Sequence, residues 1–477
     1  MLIRETRRLV GVACVLLTLV YIGIRVHVDE KNFDSWLGDA LSSFNGDAGP
    51  APFAQQPVIS APTSQDHAAI SDILQDVDPL ASHNEVFSVS TVDKKFFYIK
   101  FGGLKAMNPN IIPHPLRENT WIIVAQKYKG PEDQQTWFTE IVCSATFQGN
   151  DGGALVCDKD QPPSTLPIAA TSGDKCDGDL AYFGLNVGPH DARVFFGPRA
   201  PYTLYGSQSS FTCFGQWVQD FRMLFPWGLD MSQESRFRLG TELQRPSIDQ
   251  LQHPKPQQQQ QQSPSSSKYL RVEKNWFLFW DPDGRVYAHY DIAPRRVFAA
   301  LQADGSAGPD LAPLAQLTDD KCLARLMPKL APSLESIHQS TNSLSITLCR
   351  RADASCEPSD NNTFIFTVFQ HKSFYDFHGV YEPYVLLFRQ RSPFEVYGVS
   401  KKPVWIHGRQ KTEERGSGQS QMFYVVSMSW KVRGQKYHGY LDDVLFLAFG
   451  IEDENTAGID VVAGDLLRGL GLCSEDG

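Results

Sequence analysis

The chain has 477 residues and a formal net charge of −10 at neutral pH. A chain of this length is long enough for one large β domain or for two smaller domains. Hydrophobic residues make up 42% of the sequence and aromatic residues 12%, which suits a large β-rich core. The acidic balance argues against nucleic acid or an anionic membrane surface as the main partner, and it favours uncharged ligands.

An uncharged apolar run at residues 9–24 is the first marked feature of the chain. Arg8 and Arg25 flank it, and such long basic side chains extend a short span toward the membrane interfaces. The run predicts a transmembrane signal anchor of type II orientation, with residues 1–8 in the cytoplasm. A cleaved signal peptide is the alternative, but no small-residue cleavage site follows Ile24. The predicted location is the Golgi or endoplasmic reticulum membrane, with a single span and the body in the lumen.

Eight of the nine cysteines lie beyond the apolar run, in the part of the chain predicted to be luminal. An even number of cysteines in an oxidising compartment predicts a disulfide framework. The short spacings of Cys143 with Cys157 and of Cys349 with Cys356 predict two disulfides that staple hairpins. The pairing of the other four cysteines stays open. Asn361 begins an Asn-Asn-Thr sequence in a polar loop and is the predicted N-glycosylation site.

The region after the apolar run divides into a polar stalk and a β-rich body. Residues 25–83 are rich in Ala, Pro, Ser, Asp and Gln, which predicts an extended linker, and residues 84–477 form the predicted luminal domain. Residues 250–268 contain a run of glutamines and predict a low-complexity insertion. Helical periodicity is confined to residues 311–330 and 461–472.

Short aromatic and β-branched runs separated by turn residues fill the body, which predicts an all-β fold. Asp281-Pro-Asp-Gly284 separates two aromatic runs and predicts a tight hairpin, although its Asp-x-Asp spacing also resembles the metal motif of nucleotide-sugar transferases. The hairpin is favoured because proline and glycine are turn residues. No cysteine and histidine cluster has zinc spacing, and neither a metal nor a cofactor is predicted.

The strands fall into five sets, each of which opens with a polar segment and continues into aromatic strands. These polar segments begin near Asn108, Gly188, Glu273, His338 and His438. Many short antiparallel strands with few helices are typical of sandwiches and propellers. The grouping into five sets predicts a five-bladed β-propeller with an N-terminal transmembrane anchor.

The segment Gly188-Pro-His-Asp-Ala-Arg-Val194 places a carboxylate, an imidazole and a guanidinium within four residues. Asp191 is the predicted catalytic group, because breaking or making a glycosidic bond requires a carboxyl group that gives or takes a proton. His190 and Arg193 are predicted to orient substrate hydroxyl groups. The alternative is a local ion pair between Asp191 and Arg193 that only fixes a turn.

Two short motifs connect this segment with a known group of enzymes. Gly188-Pro-His-Asp-Ala-Arg193 resembles the Gly-x-Glu-Asp-Pro-Arg corner of the five-bladed β-propeller mannoside phosphorylases and mannosyltransferases, and Lys274-Asn275-Trp276 resembles their Lys-Asn-Trp strand. Together with the apolar N-terminal run, the motifs look most like the fungal β-1,2-mannosyltransferase branch of that group. The resemblance implies that Asp191 is the catalytic acid or base and that Arg193 holds its geometry. In this corner His and Ala stand where that pattern has Glu and Pro.

Five further residues are predicted to bind substrate, namely Asn275, Trp276, His338, Glu382 and Asp443. Trp276 is expected to stack against a sugar ring, with a core position as the alternative. Glu382 and Asp443 are the candidates for a second acidic group, with turn formation as the alternative for both. The sequence around His338 shows no Arg/His set for inorganic phosphate.

These features predict a membrane-anchored glycosyltransferase that transfers a sugar, mannose by the resemblance, from a sugar donor to a glycan acceptor. A mannoside hydrolase or phosphorylase is the alternative with related chemistry. A non-catalytic carbohydrate-binding propeller is the alternative from a different class, because a fold does not determine a function.

Overall fold

A computed structural model of the chain describes residues 81–130, 137–149, 153–228, 236–246, 269–375 and 378–474. This part of the chain is mostly β, as predicted. Most of the predicted stalk and the whole predicted insertion at 250–268 lie outside the described residues.

The strands are β1 (Asn84–Val86), β2 (Phe97–Lys100), β3 (Ala106–Pro113), β4 (Trp121–Lys127), β5 (Glu140–Gln148), β6 (Ala154–Cys157), β7 (Ser164–Thr165), β8 (His190–Phe196), β9 (Pro201–Gln208), β10 (Phe214–Asp220), β11 (Thr241–Glu242), β12 (Phe277–Trp280), β13 (Val286–Asp291), β14 (Val297–Ala300), β15 (Glu335–Thr347), β16 (Thr363–Tyr375), β17 (His378–Arg389), β18 (Val396–Ser400), β19 (Val404–Ile406), β20 (Phe423–Trp430), β21 (His438–Tyr440), β22 (Val444–Ile451), β23 (Asn455–Val462) and β24 (Leu470–Leu472).

Helical segments are few and short in the described part of the chain. They are α1 (Gln316–Leu326), α2 (Ala463–Leu466) and the 3-10 turns Gly178–Leu185, Phe221–Met223, Ala312–Leu314 and Thr412–Glu414. The helix predicted from residues 311–330 is present as α1. The helix predicted from residues 461–472 is mostly wrong, because β23 occupies its start and β24 its end. Short apolar runs fit a strand as well as a helix, and here strand pairing with β18 decides the outcome.

The sequence between β12 and β13 forms the predicted hairpin. The Gly284 N–H donates to the Asp281 carbonyl at 3.0 Å, and Gly284 has the left-handed φ of 80° that glycine adopts without strain. All four side chains of β12 are buried. A continuous apolar run bounded by turn residues therefore forms a strand that is covered on both faces.

The strands form five groups in which sequence neighbours pair antiparallel. Group 1 contains β3, β4, β5 and β6, group 2 contains β8 to β11, and group 3 contains β12 to β14. Group 4 contains β15 to β18, and group 5 contains β20, β22, β23 and β2. The first strands, β3, β8, β12, β15 and β20, lie beside one another in a cycle, which we call the central ring.

Buried polar side chains join neighbouring strands of the central ring. Asn110 accepts the Val194 N–H at 2.9 Å and donates to the Ala192 carbonyl at 2.6 Å. Asn342 binds both backbone groups of Met428 in the same way, at 2.9 and 3.0 Å. These carboxamides supply the hydrogen bonds that a strand ladder would otherwise give to backbone groups away from water.

The two ends of the described chain meet in group 5. Strand β2 pairs antiparallel with β23, so that Phe97 lies opposite Gly458. The same strand pairs in parallel with β6 of group 1. Closure of the cycle therefore depends on pairing between segments that are more than 300 residues apart in sequence.

Both predicted disulfides, Cys143–Cys157 and Cys349–Cys356, are present. Cys143 and Cys157 lie on the paired strands β5 and β6, so this bond staples a hairpin as predicted. The pairing that the sequence left open is Cys176 with Cys213 and Cys322 with Cys473.

The predicted membrane anchor at residues 9–24 lies outside the described residues. Within the part that the structure does describe, no helix is long and apolar enough to cross a membrane. No spanning helix among the described residues supports the prediction of a single-pass type II protein of the Golgi or endoplasmic reticulum membrane, and we withdraw that prediction.

We expect Asn342→Ala to lower the free energy of unfolding by about 2–4 kcal/mol, because it leaves the buried N–H and carbonyl of Met428 without partners. Urea denaturation followed by tryptophan fluorescence measures the change. Asn455→Ala is the matched control, because that side chain is exposed at the start of β23. Equal stability of the two variants would contradict the role assigned to Asn342.

Candidate functional site

Three residues where central-ring strands begin share an unusual backbone conformation. Asn108, Asp191 and Asn275 have left-handed φ values of 54°, 52° and 65°. Asparagine and aspartate adopt this region more readily than other side chains that carry a Cβ. The pairing register of β3 and of β8 shifts at the same point, as in a β-bulge. The backbone thus bends at equivalent places in the first three groups.

These bends bring polar side chains together at one end of the central ring, which we call the Asp191 end. The Asn108 Nδ2 donates to Asp191 Oδ1 at 2.7 Å. The backbone N–H of Asp191 donates to Gln126 Oε1 at 2.9 Å, and that of Ala192 donates to Glu140 Oε1 at 3.1 Å. Group 1 therefore fixes both the carboxyl group and the backbone of Asp191.

Glu140 is a fully buried acid beside Asp191. Burial raises the pKa of Glu140 well above its ordinary value, with the nearby charge of Asp191 adding to the rise. Burial therefore favours the protonated form of Glu140. Its Oε1 accepts the Ala192 N–H.

Arg193 links the bend of group 2 to that of group 3. Its Nη2 donates to Asn275 Oδ1 at 2.7 Å, and its positive charge acts on the hydroxyl of Tyr424. Burial raises the pKa of Tyr424 to about 12, so its hydroxyl keeps its proton. The rings of Tyr424 and Tyr381 meet edge to face, with centroids 4.9 Å apart. The ion pair of Arg193 with Asp191, which was the alternative interpretation of this segment, is not formed, because Asn275 binds Arg193 and Asn108 binds Asp191.

Two histidines at the Asp191 end are neutral. Burial lowers the pKa of His190 to about 4, although the charge of Asp191 acts in the opposite direction. Burial also lowers the pKa of His338 to about 4, and the positive charges of Lys372, Arg193 and Lys274 lower it further. At neutral pH each imidazole can both donate and accept a hydrogen bond. Three positive charges therefore act on the half-buried His338.

Polar atoms without hydrogen-bond partners are concentrated at this end. Among the described residues, thirteen buried side-chain nitrogen or oxygen atoms have no hydrogen-bond partner. Four of them belong to the residues just described: Asn108 Oδ1, Glu140 Oε2, His190 Nε2 and Arg193 Nε. Buried polar groups are nearly always paired, so such a concentration is typical of a ligand site.

The Trp276 ring is not available to stack against a sugar ring. Its side chain is 1% exposed and packs in the main hydrophobic core. The ring meets Tyr290 edge to face, with centroids 4.3 Å apart. We correct the predicted substrate contact accordingly, because a ring that is covered on both faces has none left for a sugar. Asn275 and His338, in contrast, lie at the Asp191 end.

Glu382 belongs to a different place on group 4. Its carboxylate binds Arg409 at 3.1 Å and His83 at 3.1 Å, and these partners lower the pKa of Glu382 despite its burial. Successive side chains of a strand point to opposite faces. Tyr381 reaches the Asp191 end, so Glu382 is directed away from it.

Asp443 lies at the opposite end of the central ring, which we call the Asp443 end. It precedes β22 and binds Arg351 at 2.6 Å. Tyr424 begins β20 beside Asp191, whereas Trp430 at the far end of β20 pairs with Leu445 of β22. Six residues of strand correspond to about 20 Å. Asp443 is therefore not a second acidic group for Asp191.

Asn361 lies in the loop before β16 and is partly exposed. N-glycosylation at this residue stays a prediction. Other residues of the Asp191 end were not among the predicted site residues: Asn108, Gln126, Glu140, Lys274, Lys372 and Tyr424. Asn108 and Lys274 carried a signal, because both belong to the polar segments that open strand groups.

No family model and no curated protein matches the sequence. Solved structures do show similarity to the chain. A glycosyl hydrolase from Bacteroides ovatus has 11% identity and a TM-score of 0.36, over 80% of this chain and 92% of that one. A structure described with the GH130 family of mannoside phosphorylases, said to contain glycoside hydrolases that target β-1,2 mannosidic linkages in Candida mannan, has 12% identity and a TM-score of 0.37. That match covers 81% of this chain and 96% of the other.

The catalytic domain of a GH62 α-L-arabinofuranosidase from Coprinopsis cinerea has 9% identity and a TM-score of 0.34, over 79% of this chain and 97% of that one. At these identities and TM-scores the similarities carry no argument about activity. The three structures nevertheless have hydrolase or phosphorylase descriptions. The prediction of a membrane-anchored glycosyltransferase finds no support in these descriptions or in any membrane-spanning helix among the described residues, and it is not taken further.

The raised pKa of Glu140 can be tested by measuring stability at several pH values. Since the pKa of Glu140 is raised in the folded protein, folding retains a proton that the unfolded chain releases above about pH 4.3. The wild-type protein therefore loses stability from this group as the pH rises above that value. Glu140→Gln is always neutral and keeps an acceptor for the Ala192 N–H.

We expect the stability of Glu140→Gln relative to wild type to increase between pH 5 and pH 8, by up to about 1.4 kcal/mol per pH unit. Urea denaturation at four pH values measures the difference. Glu140→Asp is the control for geometry, because its shorter side chain does not reach Ala192. A difference between Glu140→Gln and wild type that does not change with pH would show that Glu140 is ionised in the folded protein.

Proposed function

We propose that the chain is a glycan-active enzyme that cleaves a glycosidic bond at the Asp191 end, with Asp191 as the acid and inorganic phosphate as the acceptor. One observation carries this proposal: the Asp191 carboxyl group, held by Asn108, lies at the same end of the central ring as His338, whose pKa the positive charges of Lys372, Arg193 and Lys274 lower. A carboxyl group beside a cluster of cations suits a reaction between a neutral sugar and an anion.

The carboxyl groups of the site favour phosphate over water. An inverting hydrolase uses two carboxyl groups about 6.5–9.5 Å apart, one as acid and one as the base that activates water. Glu140, the acid beside Asp191, is fully buried, so it is unsuited to contact and activate a water molecule. Phosphate brings its own nucleophilic oxygen and needs cations for binding. The cations come from β8, the segment before β12, and β16.

The protonated form of Asp191 is the reacting form in the proposed reaction, and it gives its proton to the glycosidic oxygen as the bond from that oxygen to C1 breaks. A phosphate oxygen forms the new bond to C1 from the opposite face, which inverts the configuration. The products are a sugar 1-phosphate and a glycan shortened by one sugar. Asp191 then regains a proton from water. Neutral His190 and His338, with the Tyr424 hydroxyl, supply hydrogen bonds for sugar hydroxyl groups.

Hydrolysis is the second candidate, and it rests on Asp453. This exposed residue has a left-handed φ of 52°, and its charge contributes to the raised pKa of Tyr381. Tyr381 contacts Tyr424 at the Asp191 end. A carboxylate on this side of the site is the group that would activate water. The two candidates differ in their requirement for phosphate.

We also infer that the five strand groups are the blades of a five-bladed β-propeller. The cycle of β3, β8, β12, β15 and β20 and the pairing of β2 with β23 support this architecture. In a propeller the inner strands surround a central channel. The Asp191 end is then one opening of that channel.

Asp191→Asn is expected to reduce turnover by about two to four orders of magnitude, because the amide keeps the hydrogen bond from Asn108 but cannot give up a proton in the same way. Release of sugar 1-phosphate or of free sugar from neutral oligosaccharides, followed by NMR, measures turnover. Asp443→Asn removes the same charge at the opposite end and should retain turnover. A folded Asp191→Asn protein with normal turnover would exclude Asp191 as the acid.

Lys274→Met is expected to raise the KM for inorganic phosphate about tenfold or more, with a smaller effect on the KM for the oligosaccharide. The reason is that Lys274 contributes one of the three positive charges around His338. Initial rates at varied phosphate concentration, with Lys411→Met as a surface control, measure the effect. Turnover that is independent of phosphate would favour the hydrolysis candidate instead.

A further inference from the structure

A cavity lies at the Asp443 end, away from the proposed catalytic site. Its volume is about 970 Å³. It is formed by residues near the ends of the central-ring strands, among them Asp281, which follows β12, and Ser345, which lies near the end of β15. Strand β21 pairs in parallel with that part of β15 and forms another wall. Ligand cavities in proteins usually have volumes of about 300–1,000 Å³, so this one has room for several rings.

The charges that line this cavity balance, and most of them are already paired. Arg351 binds Asp443 at 2.6 Å, and Arg391 binds Asp360 at 2.7 Å. Asp281 accepts hydrogen bonds from the Arg285 N–H and the Tyr287 hydroxyl. Lys436, the remaining charged residue of the wall, donates to the Arg199 carbonyl at 3.2 Å and not to a carboxylate. The wall holds three carboxylates (Asp281, Asp360 and Asp443) and three cations (Arg351, Arg391 and Lys436), so it has no net charge. A strongly charged ligand is therefore disfavoured at this end, in contrast to the cations around His338 at the other.

The uncharged groups of the cavity suit a ligand with many hydroxyl groups. Burial lowers the pKa of His438, with Arg351 adding to the effect, so its imidazole is neutral at pH 7. Gln435, Gln390 and Ser345 add neutral side chains to the wall. Their donors are used within the protein, since Ser345 donates to Gln390 at 3.0 Å and the two amide nitrogens donate to carbonyl groups. Gln435 Oε1 and Ser345 Oγ remain as acceptors, and sugar hydroxyl groups can donate to them.

Apolar surface lies beside these polar groups. Tyr440, with its ring partly exposed, stands next to the His438 imidazole at a centroid distance of 4.9 Å. Pro282, Pro358 and Val432 form further apolar parts of the wall. Sugar rings combine polar edges with apolar C–H faces, so a wall that alternates in this way matches them.

We propose that the cavity at the Asp443 end is a second saccharide-binding site, which takes several units of a neutral oligosaccharide. The site lies about 20 Å from Asp191, judged from the length of β20, and binding there does not depend on turnover. A long glycan could be held at this end without occupying the catalytic end. The proposal requires only that the ligand is a neutral saccharide.

Isothermal titration of the Asp191→Asn full-length chain tests the proposal without turnover. The probes are mannotetraose, cellotetraose and xylotetraose as neutral ligands and tetragalacturonate as a charged ligand of similar size. We expect at least one neutral tetrasaccharide to bind with a Kd in the micromolar to low millimolar range, about 10 µM to 5 mM, and tetragalacturonate to bind at least tenfold more weakly. Equal binding of tetragalacturonate, or no binding of any neutral probe, would overturn the proposal.

Variants then locate the binding. Gln435→Ala and Tyr440→Ala should each weaken binding about tenfold or more. His338→Ala, which removes a proposed contact with sugar hydroxyl groups at the Asp191 end, should leave binding in the cavity unchanged. Thermal melting confirms that each variant is folded, and Tyr440→Phe retains the ring if Tyr440→Ala fails to fold. Binding that is lost in His338→Ala and kept in both cavity variants would assign the saccharide to the Asp191 end and reject a second site. This binding test stays valid even if the wild-type chain has no measurable catalytic activity.

Discussion

The fold depends on how backbone groups are paired between strands of the central ring. Neighbouring strands of the ring do not pair with one another in a ladder, although β3 and β20 are the two end strands of one sheet. Their buried N–H and carbonyl groups therefore need other partners. Asn110 and Asn342 meet this requirement with carboxamides, and Ser427 donates its hydroxyl to the Pro109 carbonyl. Polar residues are therefore required at the centre of the molecule, where hydrophobicity alone would predict an apolar core.

The candidate site follows from the same requirement. The backbone bends near the starts of β3, β8 and β12. Asn108, Asp191 and Asn275, which have left-handed φ values, occupy these bends. The carboxyl group of Asp191 belongs to group 2, but its hydrogen-bond partner Asn108 and the acceptors for the adjacent N–H groups belong to group 1. The geometry of Asp191 is thus a property of the interface between two groups, and it depends on closure of the cycle by β2 and β23.

Local signals in the sequence predicted the local features of the structure. Alternating apolar runs with turn residues predicted the β content and the hairpin at Asp281, and close cysteine spacing predicted two disulfides. Contacts between distant segments were not accessible in this way. Glu382 was selected for its aromatic neighbours, but strand alternation turns it away from Tyr381 and toward Arg409. Asp443 was selected for similar reasons, but it precedes β22 at the end that is remote from Asp191. A single sequence does not reveal which end of a strand faces a site.

The two ends of the central ring differ in how their charges are compensated. At the Asp443 end each carboxylate has a cation partner, as in the pair of Arg351 with Asp443. At the Asp191 end Asp191 is held by an amide, and Arg193 also bonds an amide. Opposite charges that are held by neutral groups stay available to a ligand, whereas charges that are paired with one another contribute mainly to structure. This difference is why we place the chemistry at the Asp191 end and only neutral binding at the other.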